Sequence, residues 1–190
     1  MPSTSSQLST ISEFVALTGQ AANPAAFAVV ALGANLHSAQ GDPGETLEAA
    51  IAELAKRSDR LPVVSPLVKT VPQDCPPGSP DFINAVVVLY LPGESPEVLL
   101  QWLQSIEQAF GRQRRGVRNA ARTLDLDLIA AGNHQLDTGH LTLPHPRAHL
   151  RSFVLEPLAR VWPDYRLPGH QQTVTQQLWA LQGQAPTVGY

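Results

Sequence analysis

Seven consecutive residues do most to limit the folds open to this chain of 190. Thr123-Leu-Asp-Leu-Asp-Leu-Ile129 alternates polar and apolar side chains. Successive side chains on a strand point to opposite faces, so the run predicts a strand. Leu124, Leu126 and Leu128 would face a core, and Asp125 and Asp127 would share the other face. Two strand steps of ~3.3 Å set the aspartate Cα atoms about 7 Å apart. Carboxylates that close repel unless something neutralises them. A hard cation such as Mg²⁺ does so, using one or two protein carboxylates and the oxygens of a bound phosphate. The bland alternative is two solvated aspartates on an exposed sheet face. The residues just upstream weigh against it. Arg112, Arg114, Arg115, Arg118 and Arg122 are five of the chain's 13 Lys+Arg, and a merely solvated face has no need of five guanidiniums. Guanidinium groups grip phosphate in a bidentate fashion, so the stretch from Arg112 to Asp127 reads as a site for a highly anionic ligand.

The rest of the chain supplies a frame for that strand. Residues 1–26 are rich in Ser, Thr, Gln and Ala and read as a mostly mobile N-terminal extension, with at most a turn of helix over Ile11 to Leu17. Phe27 to Leu32 is an apolar strand that Gly33-Ala-Asn35-Leu should break with turn residues. Leu47, Ala50, Ile51 and Leu54 recur at helical spacing. Leu61 to Thr70 reads as an edge strand because of Pro62 and Pro66. Phe82 to Leu91 is a strongly β-prone third strand. Ser95-Pro96-Glu97 starts a second helix and Gly111 fits its stop. Gly132-Asn133 predicts a hairpin into a fifth strand. Phe153 to Val161 and Thr173 to Leu181 read as helices. Strand, helix, strand, strand, helix, strand is the order of an α+β, ferredoxin-like βαββαβ core, with a mostly antiparallel sheet and helices on one side. The sheet's other face would be free for a site. Residues 27–182 would form one domain and 183–190 a C-terminal tail.

Charge and composition narrow the partners. A net charge of −3 argues against a nucleic-acid or membrane surface beyond the local arginines. One cysteine, Cys75, allows no internal disulfide and no multi-cysteine metal site, and it reads as incidental. No apolar run reaches ~18 residues, so no membrane span is expected, and a cytoplasmic location fits. Neither common glycine-rich phosphate motif is present. Asp125-x-Asp127 resembles the nucleophile pair of aspartate-based phosphatases, but Arg122-Thr123 stands where those need an apolar strand. An RNA-binding sheet would need exposed aromatics that Val86 to Leu89 does not offer. His145 and His149 are four apart, yet Pro144 and Pro146 oppose a helical metal pair there. His145 reads as a ligand hydrogen-bond donor or a loop histidine.

Five ordered segments carry a resemblance. They are Ala31-Leu-Gly-Ala-Asn-Leu36, Pro80-Asp-Phe-Ile-Asn-Ala85, Gly111-Arg-x-Arg114, Arg122-Thr-Leu-Asp-Leu-Asp127, and Leu143-Pro-His145 through Arg151-x-Phe153-Val-Leu. Together they resemble the 6-hydroxymethyl-7,8-dihydropterin pyrophosphokinase family of folate biosynthesis. That resemblance implies transfer of the β,γ-pyrophosphoryl group of ATP to the pterin hydroxymethyl oxygen, giving AMP. It implies two Mg²⁺ ions at Asp125 and Asp127, with Arg112 and Arg122 stabilising the transferring group. Gln104, Glu107, Arg114, Arg118, Leu128, Thr142, His145 and Arg151 are implied as nucleotide contacts. Phe82 and Phe153 would sandwich the pterin, Asn84 would hydrogen-bond it, and Thr70 and Pro72 would line its pocket. ATP and the pterin would be the partners of a monomer, with no nucleic acid or membrane. Two departures stand out. Asn119-Ala-Ala replaces the usual loop sequence, and Pro146 stands where many members carry Tyr.

Overall fold

The computed structural model describes residues 7–72, 75–112 and 121–183. Its elements run α1 (Ile11–Thr18), β1 (Phe27–Ala34), α2 (Pro43–Ala55), β2 (Val63–Val64), β3 (Val68–Thr70), β4 (Phe82–Tyr90), α3 (Pro96–Ala109), β5 (Asp125–Ala131), β6 (Leu136–Asp137), β7 (Thr142–Leu143), α4 (Ser152–Val161) and α5 (Val174–Leu181). The main sheet has the order β2-β4-β1-β5, with β3 also on β4, and every pair is antiparallel. This is the expected ferredoxin-like arrangement.

Local chemistry explains the element ends. Asp42 and Glu45 form a reciprocal capping box at the start of α2, with Pro43 as its first residue. Ser95 caps α3 through the Val98 N–H, again with proline next. The single edge strand expected over Leu61 to Thr70 is two short pieces, because Pro66 has no N–H to continue a ladder. Gly33 does not end β1. The strand continues through it to Ala34, antiparallel to both neighbours. A turn does follow β5 at Gly132, where φ is +52°. However, β6 pairs with β7 rather than returning along β5. The outer edge of β5 is instead met by the His145 N–H, which donates to the Ile129 carbonyl at 2.8 Å.

Alternation along the strands feeds two cores. Ala28, Val30 and Leu32 of β1, Val87 and Leu89 of β4, and Leu124, Leu126 and Leu128 pack against α2 and α3. Phe27, Val29, Val86, Val88 and Ile129 point the other way and meet α1 and α4. The second face is therefore not left free along its length. Its apolar middle must be covered for the same reason as the first face. Only its polar end, where β1 finishes and β4 and β5 begin, stays open.

Residues 7–26, expected to be mostly mobile, have a buried face. Leu8 makes main-chain bonds to Pro62 and Val64 at the outer side of β2. Thr10 caps α1 and Gly19 closes it in the left-handed region. Phe14 is 1% exposed, with its ring 5.1 Å from Phe27 and 5.4 Å from Tyr90. Composition conceals this because Leu8, Ile11 and Phe14 are the segment's only buried side chains among the described residues, with Ala22 and Ala26 packing beside them, and their partners lie in later elements.

Candidate active site

The sheet register assembles the floor of a cleft. Gly33 on β1 lies opposite Asn84 on β4 and opposite Asp125 on β5. Ala31, two residues back, lies between Val86 and Asp127. Asn84, Gly33, Asp125 and Asp127 thus share the open end of the second face. Glycine is required in that row. A Cβ on Gly33 would sit 2.9 Å from Asn84 Oδ1 and 3.7 Å from the Phe82 ring. Asn84 is 5% exposed and donates its amide Nδ2 to Thr70 Oγ1 at 2.6 Å. Its carbonyl Oδ1 is left toward the floor as an acceptor. Phe82 and Phe153 line the same cleft, together with Val71 and Cys75.

At the other end, arginines hold the aspartates. Arg112 reaches Asp125 Oδ1 and Arg122 reaches Asp125 Oδ2, each at 2.6 Å. Arg112 also pairs with Glu107 of α3. Arg151 donates to Asp127 Oδ2 at 3.1 Å, and His145 Nε2 stands 3.9 Å from the same oxygen. The guanidinium of Arg151 also lies 5.4 Å from the centre of the Phe153 ring. Asn35, 4% exposed, fixes Arg122 from the end of β1. Its Oδ1 accepts from the Arg122 N–H at 2.8 Å, and its own N–H donates to the Arg122 carbonyl at 3.1 Å.

Burial and the Asp127 charge push the Asp125 carboxyl above its ordinary range, while Arg122 and Arg112 pull it back. That mutual repulsion is the chemistry a divalent cation would relieve. The donor set is two carboxylates, and no cluster of three or more His, Cys, Asp or Glu suited to a metal exists among the described residues. Such a set fits a hard, oxygen-seeking ion that takes its other ligands from phosphate and water. It does not fit a closed transition-metal site. Burial lowers His145 below the usual imidazole range, although Asp127 pulls it upward. Burial raises Glu107 to about 7, against the Leu126 N–H that donates to it and the Arg112 charge.

The structure divides the residues singled out from sequence. Thr70, Phe82, Asn84, Arg122, Asp125, Asp127, Arg151 and Phe153 line one cleft. His145 and Arg112 touch its carboxylates from outside that lining. Gln104 and Glu107 lie on α3, across β5, with Glu107 3% exposed. Leu128 turns into the helix-side core at 4% exposure, so its side chain is not brought to the cleft. Thr142 lies on β7, its hydroxyl donating to Asp137. Pro72 is not among the lining residues, whereas its neighbours Val71 and Cys75 are. Arg114, Arg118 and Asn119 lie outside the described residues. Sequence reasoning missed Gly33 as floor, and it missed Cys75, Arg147 and Leu150 as lining. Gly33 had a signal, a glycine at the end of a β-prone run, which marks close approach as well as it marks a turn. Arg147 had one too, as a basic residue between His145 and Arg151 in a stretch rich in potential ligand contacts, whereas Cys75 and Leu150 had none.

Comparison with known proteins bears on the same segments. Residues 29–163 match the family model for 7,8-dihydro-6-hydroxymethylpterin-pyrophosphokinase. The chain is 42% identical over 150 residues to the 2-amino-4-hydroxy-6-hydroxymethyldihydropteridine pyrophosphokinase of Synechocystis sp., covering 78% of this chain and 73% of that one. The enzyme of the same name from Pseudomonas aeruginosa is 41% identical over 140 residues, covering 73% of this chain and 82% of the relative. Among solved structures, an HPPK-DHPS protein in complex with substrates superposes with a TM-score of 0.63 at 14% identity. It covers 81% of this chain and 44% of its own, so the chain spans under half the length of that protein. The Plasmodium falciparum HPPK-DHPS with pteroate gives a TM-score of 0.58, covering 80% of this chain and 41% of its own. At that identity these structures bear on the fold alone.

Proposed function

Because the chain belongs to the 7,8-dihydro-6-hydroxymethylpterin-pyrophosphokinase family, we propose that this cleft is where it carries out that family's reaction. The protein is a pyrophosphokinase of folate biosynthesis acting on 2-amino-4-hydroxy-6-hydroxymethyldihydropteridine. ATP is the donor in this reading. The pterin hydroxymethyl oxygen bonds to the β-phosphorus as the bond to the α-phosphate oxygen breaks, so AMP leaves and the pterin carries the diphosphate.

The observation that carries the reading is the Asp125–Asp127 pair, flanked by Arg112, Arg122 and Arg151, at one end of a cleft whose other end offers Asn84, Phe82 and Phe153. The first end suits a polyphosphate and the second a flat heterocycle with hydrogen-bond donors. Asp125 and Asp127 would hold magnesium, two ions being our reading, and the metal would neutralise phosphate oxygens and orient them for in-line transfer. Phosphoryl-type transfer asks little covalent chemistry of a protein, so positioning and charge stabilisation do the rest. Arg122, its main chain fixed by Asn35, presents a preorganised donor to the transferring group. His145 and Arg151 hold the nucleotide phosphates beside Asp127. Asn84 Oδ1 accepts from the pterin ring, between Phe82 and Phe153. Gln104, Glu107, Leu128 and Thr142, across β5, are assigned to the adenosine side, where Leu128 has its main chain to offer. A monomer in the cytoplasm completes the reading, and a single cysteine that forms no disulfide suits a reducing compartment.

Mass spectrometry of the reaction tests this. AMP and the pterin diphosphate should form only with ATP, Mg²⁺ and the pterin all present, and Asp127→Ala should abolish both while leaving the circular dichroism spectrum unchanged. Inorganic phosphate as the product, or full turnover by the variant at saturating Mg²⁺, would refute it.

A further inference from the structure

Among the described residues, three arginines and two aspartates line the cleft. Arg122 pairs with Asp125 and Arg151 with Asp127. Arg147 is the cation left over. Among the described residues its guanidinium makes no ion pair and no hydrogen bond to a protein acceptor. A guanidinium carries five donors and no acceptor, so one that faces a cleft without a carboxylate has its full capacity open to an anion.

The turn that bears it is well defined. His145, Pro146, Arg147 and Ala148 form a type I β-turn closed by the Ala148 N–H on the His145 carbonyl at 3.0 Å. Pro146 takes the second position, which its ring favours, and Arg147 the third, with φ −109° and ψ 6°. The Arg147 N–H donates to His145 Nδ1 at 3.2 Å. With Nδ1 an acceptor, a neutral His145 carries its proton on Nε2, the nitrogen nearest Asp127. One turn thus sets the imidazole donor and carries the uncommitted guanidinium.

We infer that Arg147 is a further phosphate-binding residue, holding the nucleotide's polyphosphate in the ground state. The inference rests on the cleft being the pyrophosphokinase site. Its role differs from that of its neighbours for an energetic reason. Arg122 and Arg151 must exchange a carboxylate for a phosphate, so their net gain on binding is a difference between two charge-assisted bonds. Arg147 has no carboxylate to give up among the described residues, so its contact is a net gain as soon as the polyphosphate arrives. An interaction made equally before and during transfer lowers KM without raising kcat.

The test compares wild type, Arg147→Ala, Arg147→Lys and, as a control on the exposed side of α4, Arg160→Ala. Calorimetry measures binding of the non-hydrolysable α,β-methylene analogue of ATP with Mg²⁺ at two salt concentrations, and steady-state assays supply KM and kcat. Arg147→Ala should weaken analogue binding about tenfold, the scale of one charge-assisted contact. KM for ATP should rise by a similar factor, kcat should stay within about twofold, and the salt dependence should flatten. Arg147→Lys should recover part of the affinity, and Arg160→Ala should match wild type. Unchanged affinity and salt dependence in Arg147→Ala, or a fall confined to kcat, overturns the role of Arg147. A wild-type protein that neither binds the analogue nor forms AMP overturns the reading of the cleft instead.

Discussion

Arg122 and Gly33 act on the ligand in opposite ways, one by what it presents and the other by what it lacks. Arg122 has its N–H and carbonyl tied to Asn35, and its guanidinium lies 2.6 Å from Asp125. A donor fixed in advance stabilises charge that develops during transfer, and losing one lowers kcat by about 10²-fold or more. Arg122→Ala should show that loss in single-turnover assays, with a smaller change in ATP affinity. A pure KM effect would reduce it to a binding residue. Gly33 contributes empty space. Its row neighbour Asn84 has Nδ2 committed to Thr70, so Oδ1 has little freedom to retreat from an added Cβ 2.9 Å away. Gly33→Ala should weaken pterin binding about tenfold or more by calorimetry, the scale of displacing one buried hydrogen-bond acceptor. Binding of the ATP analogue should change little.

At the scale of elements, α3 is joined to β5 by one buried acid. Glu107 accepts the Leu126 N–H at 2.7 Å and pairs with Arg112. Folding raises its carboxyl from the ordinary 4.5 to about 7, chiefly by burial. Between those values the folded protein binds more protons than the unfolded chain. The stability this group contributes is therefore fully present below pH ~4.5 and is lost as pH rises through about 7. Glu107→Gln keeps an acceptor for Leu126 and removes the titration. Urea midpoints at pH 5 and pH 8 should fall less in the variant than in wild type; parallel curves would exclude the shift. α1 makes a second kind of join. Phe14 fills the space between Phe27 and Tyr90, at the far end of β1 from Gly33, about 20 Å away by strand rise. Phe14→Ala should lower stability by about 3 kcal/mol, the low end for a buried phenylalanine. Its KM for either substrate should be unaltered. A variant as stable as wild type would mean that residues 7–26 pack without contributing.

For the whole molecule, the controlling feature is that β1 and β4 serve two cores at once. Val30 and Val87 face α2 and α3, while Val29 and Val88 face α1 and α4. Neither core can be lost while the other keeps an ordered sheet. Unfolding should therefore be one transition. Trp102 packs on the first core and Trp162 belongs to the second. Variants retaining only one or the other should report the same urea midpoint as circular dichroism. Separate midpoints would show that the cores unfold independently. The same sharing locates the cleft. Helices cover the second face wherever it is apolar, and the site occupies the end where Gly33, Asn84, Asp125 and Asp127 leave it polar.

The amino-acid sequence by itself determined what depends on neighbours along the chain. The two-residue period over Thr123 to Ile129 sets Asp125 and Asp127 on one face. Helical spacing marks α2 and α3, their caps are readable in Asp42, Glu45 and Ser95, and the order of elements yields the fold class. The tertiary structure alone decided what depends on residues far apart in sequence. It set Gly33 between Asn84 and Asp125, carried β1 through a glycine that locally reads as a turn, and gave residues 7–26 a buried face. Among the described residues it also divided three cleft arginines into two that are paired and one that is not. Periodicity and capping are short-range, so they survive in a linear reading. Register across three strands and the pairing of charges are fixed only when separate segments pack together, and no local pattern encodes them.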